Sequence, residues 1–127
     1  MKAYFENEDL NYAPLTEVVV YNPLKTRSVN LKLVIDTGFQ GGVLLPLQAY
    51  LNLRLNLMEE VEATAATATG MEVKLRVAKV IIDLGGKQFE SKAYTTLGVR
   101  RPLLGREVLK RAGLLYNPPK ELKFPIR

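Results

Sequence analysis

The sequence predicts a mainly β domain of barrel or sandwich type with two short helices, and three observations carry that expectation. Apolar and polar residues alternate with period two from Ser28 to Leu33 and again from Glu72 to Val77, as in strands with one buried face. Glycine stands at the break points Gly70, Gly85-Gly86 and Gly113, where reversals of the chain need conformations that other residues avoid. Helical periodicity is confined to a segment opening at Pro46 and another following Gly105. A chain of 127 residues suggests one domain, burying roughly two-thirds of its unfolded surface.

In chain order, residues 1–14 read as an N-terminal extension and 15–127 as the domain. The extension is polar and acidic at its start and lacks the basic and apolar regions of a secretory leader. It is either a tail or a cover for the basic C-terminal surface. A β-branched run at 17–21 is stopped by Asn22-Pro23, and a strand from Ser28 turns fully apolar at Val34-Ile35. Gly41-Gly42 forms a loop, residues 43–45 a buried strand, and Pro46 starts a helix ending near Leu53. Two long strands, 60–69 and 71–84, meet in a hairpin at Gly70. The first sets Val61, Ala63 and Ala65 against Glu62, Thr64 and Ala66. A further strand covers 88–96, and Leu103-Leu104 is broken by Gly105. A helix over 106–112 ends at Gly113, and a terminal hairpin turns at Asn117-Pro118-Pro119.

Composition narrows the chemistry. Lys and Arg number 18 against 13 Asp and Glu, a net charge of +5, and neither histidine nor cysteine occurs. Ser-His-Asp and Cys-His nucleophiles, thiol redox centres, disulfides and metal sites built on imidazole or thiolate are therefore excluded. Acid–base chemistry must come from carboxylates, Lys or Tyr. No apolar run approaches 18 residues, so a soluble, cytoplasmic protein without membrane contact is expected. The basic residues concentrate after position 99, including Arg100, Arg101, Lys110 and Arg111. Such an end can meet nucleic acid, but it is more often a solvated surface or one facing an acidic segment. Nucleic acid is therefore not the expected partner.

The stretch Val34-Ile35-Asp36-Thr37-Gly38 carries the candidate chemistry. A carboxylate directly after buried β-formers is costly to desolvate and needs a reason to stand there. Thr37 adds a hydroxyl, and Gly38 allows a tight turn that brings its amide near the carboxylate. Asp-Thr-Gly also forms ordinary Asx turns, so the tripeptide alone leaves both readings open. A second stretch, Leu103-Leu104-Gly105-Arg106, follows about 67 positions later.

With both stretches in order, and with a strand and a hairpin between them, the chain resembles the retropepsin-like, single-lobe aspartic proteases over roughly residues 17–124. The resemblance implies a closed acid-protease β-barrel with a flap hairpin. It also implies a homodimer in which Asp36 of each subunit meets at a two-fold axis. The two carboxylates would share one proton and activate water to hydrolyse a peptide bond in a peptide or unfolded protein, without metal or cofactor. Thr37 and Gly38 would form the active-site loop, and Phe39, Thr69, Gly70 and Met71 would line the substrate. Leu104 and Gly105 would pack behind the loop, and Arg106 would tie the helix to it.

Two departures from that pattern stand beside the motif. Phe39 replaces the usual small residue and narrows or closes a pocket, and Gln40 is neutral where an acidic or hydroxyl residue is usual. A catalytically weak or inactive dimer that binds peptides is therefore the rival function. Ile81-Ile82-Asp83-Leu84-Gly85 looks like a second copy of the motif, but it lacks the hydroxyl of Thr37 and ends in a hairpin signal. Asp83 is read as a turn residue.

Overall fold

Alternating side chains become paired strands wherever one face can be buried. In the computed structural model, which describes residues 3–6, 11–60, 63–66 and 69–127, the strands are β1 (Ala3–Phe5), β2 (Pro14–Tyr21), β3 (Ser28–Ile35), β4 (Val43–Leu44), β5 (Ala63–Ala66), β6 (Glu72–Leu84), β7 (Lys87–Thr95), β8 (Leu103–Leu104), β9 (Leu115–Asn117) and β10 (Glu121–Lys123). Helix α1 (Leu47–Asn52) precedes a 3-10 turn at Leu55–Leu57, and α2 (Arg106–Ala112) follows β8. Among the described residues no helix is long and apolar enough to cross a membrane.

Eight strands form one sheet in the order β1-β2-β3-β8-β4-β7-β6-β5, and β9 with β10 forms a separate pair. Where a closed barrel was expected, this sheet curls until β2 meets β6 over three residue pairs, Val19↔Asp83, Val20↔Ile82 and Tyr21↔Ile81. Val18, Val20, Leu33, Ile35, Val80, Ile82 and Leu104 fill the core between the faces, with Tyr50, Leu53 and Leu55 from the α1 region. At roughly 1.5–3 kcal/mol per fully buried large apolar side chain, this burial is the main term holding the fold.

Most elements fall where the periodicity places them, and the departures have local causes. Strand β2 starts at Pro14, because Leu15 and Thr16 pair with Val34 and Leu33 of β3 although they precede the β-branched run. Pro46 stands at the N-cap of α1 instead of in its first turn. In β6 the buried positions change parity: Leu75 and Val77 are buried, and then Ala78, Val80, Ile82 and Leu84. Only the second set belongs to the main core. Thus β6 buries one face up to Val77 and the opposite face from Ala78 onward. Of the first hairpin strand, Val61, Glu62, Thr67 and Ala68 lie outside the described residues.

The extension carries structure of its own. Strand β1 pairs antiparallel with β2, Ala3↔Thr16 to Phe5↔Pro14. Phe5 lies edge-on to Tyr12 and Tyr116, with ring centroids 6.0 and 5.7 Å away, and Tyr116 donates to the carbonyl of Tyr12. Glu6 forms an ion pair with Arg101. Glu6 of the extension thus meets one of the basic residues that follow position 99.

Candidate active site

Strand β3 ends at Ile35, beside Leu104 of β8 in parallel register. The amide of Asp36 continues that ladder by donating to the carbonyl of Leu104 at 2.9 Å. The chain then turns on its own carboxylate: the Gly38 amide donates to Asp36 Oδ1 at 2.8 Å, and the Phe39 amide to the Asp36 carbonyl at 3.2 Å. One carboxylate oxygen is thereby fixed by backbone at a half-buried position, while Thr37 and Gly38 are exposed beside it.

Three more backbone bonds lock this loop to the start of α2. Gly105 donates to the Gly42 carbonyl at 2.7 Å, Arg106 to that of Phe39 at 2.8 Å, and Glu107 to that of Gly41 at 3.2 Å. The first amides of a helix have no intrahelical acceptor, and here the loop supplies acceptors for them. Such close approach requires a bare Cα. A Cβ on Gly105 would stand 2.2 Å from the Gly41 carbonyl oxygen, and one on Gly41 would stand 2.6 Å from Tyr94 Cε1. Leu104 is fully buried behind the loop.

Arg106 reaches the loop through its backbone. Among the described residues neither its guanidinium nor the Thr37 hydroxyl has a hydrogen-bond or ionic partner. Phe39 is half-buried and meets Tyr94 edge-on at 5.8 Å, so part of its bulk is absorbed by the sheet. Thr69, Gly70 and Met71 sit at the exposed tip of the β5–β6 hairpin, on a different element from Asp36. Gly70 has φ +85 there, and open space surrounds it.

Several supporting residues escaped the sequence reading. Tyr94 braces Phe39 and Gly41, and its hydroxyl is pushed above the ordinary tyrosine value by burial and then by the nearby Glu107 and Glu60 carboxylates. Ser91 donates to Glu107 Oε1 at 3.2 Å. At the root of the hairpin, Glu59 Oε2 accepts from the Tyr50 hydroxyl at 2.8 Å and from Arg76 Nε at 2.7 Å. Glu59 Oε1 accepts from the same guanidinium at 2.8 Å. The Arg76 hydrogen bonds hold the Glu59 carboxyl below the ordinary range, while burial, followed by the hydrogen bond to Glu59, pushes the Tyr50 hydroxyl up. The available signal was a pair of opposite charges flanking a glycine-tipped hairpin.

Asp83 serves its turn. Its Oδ1 accepts from the Gly86 amide at 2.7 Å and its Oδ2 from Gln88 Nε2 at 3.0 Å. The Gln88 contact and then the Gly86 contact hold its carboxyl below the ordinary value. Asp83 and Asn30 both pair with Val19 of β2. Asp36 lies about 20 Å further along β3 at a rise of ~3.4 Å per residue, so the two carboxylates cannot form one site. Among the described residues no group of acidic side chains is arranged to hold a metal ion.

Comparison with known proteins adds the fold. No family model matches the sequence, and no curated protein does. Among solved structures, the EIAV protease in complex with the inhibitor HBY-793 superposes with a TM-score of 0.62 at 19% identity, over 88% of this chain and 99% of that one. A retropepsin-like aspartic protease from Rickettsia conorii gives 0.60 at 18% identity, over 91% and 83%. These superpositions identify the fold of the chain as that of the retropepsin-like aspartic proteases.

Proposed function

We propose that the protein is a homodimeric aspartic endopeptidase acting on peptides or unfolded protein. The observation that carries this reading is a single carboxylate, Asp36, presented at a strand end and fixed by the Gly38 amide in a loop with no slack. One lobe supplies one such group, and the chemistry needs two. In the dimer, Asp36 of each subunit faces the other. Two carboxylates that close share one proton, because the first ionisation raises the cost of the second. The ionised member takes a proton from water, and the water oxygen attacks the scissile carbonyl carbon. The protonated member donates to the carbonyl oxygen, giving a tetrahedral diol. Its collapse breaks the C–N bond as the leaving nitrogen takes a proton. The unengaged Thr37 hydroxyl is then available to the other subunit, and the β5–β6 hairpin acts as the flap over the substrate.

The purified protein is expected to cleave an unfolded polypeptide at mildly acidic pH, with activity rising faster than linearly in enzyme concentration near the dimer dissociation constant. Asp36→Asn removes the general base while its amide oxygen can still accept from Gly38. Cleavage is expected to fall by about 1,000-fold or more with the fold retained. Equal cleavage by both proteins, or activity from a monomer, overturns the reading. A second reading, a dimer that holds extended peptides without hydrolysing them, is favoured by the bulk of Phe39 and the neutral Gln40 after the motif, and by an Arg106 guanidinium without a partner among the described residues. It predicts equal peptide affinity in wild type and Asp36→Asn, with no product from either.

A further inference from the structure

The β5–β6 hairpin projects from the body. From Arg76 inward, β6 is paired with β7, starting at Arg76↔Thr95. From Leu75 outward its partner is β5, from Ala63↔Leu75 to Ala66↔Glu72. Residue 76 is therefore where the returning leg parts from β5 and joins β7. The outgoing leg starts from the same level, through the bridge Glu59↔Ala78 and the Glu60 amide, which donates to the Val77 carbonyl at 2.8 Å. The buried face of β6 also changes parity at Val77 and Ala78.

One carboxylate joins everything that meets at this root. Glu59, at the start of the outgoing leg, accepts from two guanidinium nitrogens of Arg76, on the returning leg, in a two-pronged grip. The same carboxylate receives the hydroxyl of Tyr50, whose fully buried ring anchors α1 in the core. The Arg76 guanidinium carbon lies 5.7 Å from the centre of that ring. Both legs are thus pinned to one immobile point. The pin is also reachable by water, since the side chains of Arg76 and Glu59 are 44% and 26% exposed. A partly solvated ion pair of this kind breaks and re-forms without unfolding the core, unlike one sealed in the interior.

We propose that Tyr50, Glu59 and Arg76 are the hinge lock of the hairpin: positioning residues that set how often the hairpin lifts from the body and so govern retention of an extended peptide beneath it. The consequence for peptide turnover rests on the protease reading above; the mechanical role does not.

The test separates the two. Amide hydrogen exchange is measured on the wild-type chain and on Glu59→Gln, Arg76→Gln, Arg76→Lys and Tyr50→Phe. Exchange over residues 60–75 is expected to quicken by about 10-fold in Glu59→Gln and Arg76→Gln, several times more than in β2, β3 and β8. Arg76→Lys keeps the charge but loses the fork, and it should recover part of the protection. Tyr50→Phe keeps the buried ring and loses only the hydroxyl, which guards against a variant that fails to fold. It should show a smaller rise confined to the same residues. Unchanged hairpin exchange in all four variants, or an equal rise across the whole sheet, overturns the lock. In a peptide-cleavage assay, KM should rise about 5-fold with kcat within about 2-fold of wild type. A fall in kcat at constant KM contradicts a positioning role. If the wild type cleaves nothing, the protease reading fails, and the exchange data still decide the lock.

Discussion

Gly105 has no room for a side chain, because its Cα faces the Gly41 carbonyl and the Phe39 ring. A methyl group there must push backbone aside, and this contact also holds the Asp36 loop. Gly105→Ala is therefore expected to destabilise the fold by about 1–3 kcal/mol, read as a lower denaturation midpoint. Under the proposed peptidase function, its loss of cleavage should exceed what the unfolded fraction explains. At this scale the turn at Asp36 was legible. A carboxylate after apolar β-formers, followed by a glycine, has a local explanation, and the Gly38 amide on Asp36 supplies it. Tyr94 was not legible, since its importance comes from Phe39 and Gly41 meeting it across a turn and a strand. Arg106 was named for its side chain, whereas its backbone amide makes the contact.

Elements were legible where one rule acts alone. Strand β3 and helix α2 have the limits their patterns predict, bounded by Ser28 and Ile35 and by Gly105 and Gly113. Strand β1, three residues long, offers too few positions for alternation and exists because the edge of β2 pairs with it. The parity change in β6 was hidden for another reason: Val77 and Ala78 are both apolar, so period two continues through them in either phase. The element-scale prediction concerns acid. Glu59 and Asp83 are both held below their ordinary values by hydrogen bonds in the folded chain. A carboxyl lowered on folding adds stability above its unfolded value, and that stability is lost as pH falls through the folded value. Stability should therefore decline as pH drops below about 4, the ordinary carboxylate range. In Glu59→Gln and Asp83→Asn this decline should be shallower, although each is less stable at pH 7. Denaturant midpoints taken from pH 7 to pH 2 measure the slope. A wild-type slope in both variants would mean that other carboxyls set it.

At the scale of the molecule, the N-terminal strand is clipped to the C-terminal hairpin by Phe5, Tyr12 and Tyr116, and the Glu6–Arg101 ion pair ties the residue after that strand to the segment before β8. Composition predicted that acidic and basic ends could meet, but the aromatic contacts have no sequence signal because they join residues from opposite ends of the chain. Removing residues 1–6 is expected to cost about 1–3 kcal/mol. It should also expose the edge of β2 to pairing with other chains. Denaturation midpoints and light scattering report the two effects, and a truncated chain as stable and dispersed as the full one would show the clip to be ornamental.

The short parallel pairing of β3 with β8 has a consequence in time. Asp36 is translated well before the residues that hold its loop, Leu104 to Glu107. At a synthesis rate of roughly 5–20 residues per second, the interval is about 3–14 seconds. During that interval the carboxylate exists without its geometry. A nascent chain that has not yet reached Leu104 therefore lacks the backbone partners of the Asp36 loop, and the order of synthesis delays assembly of that loop.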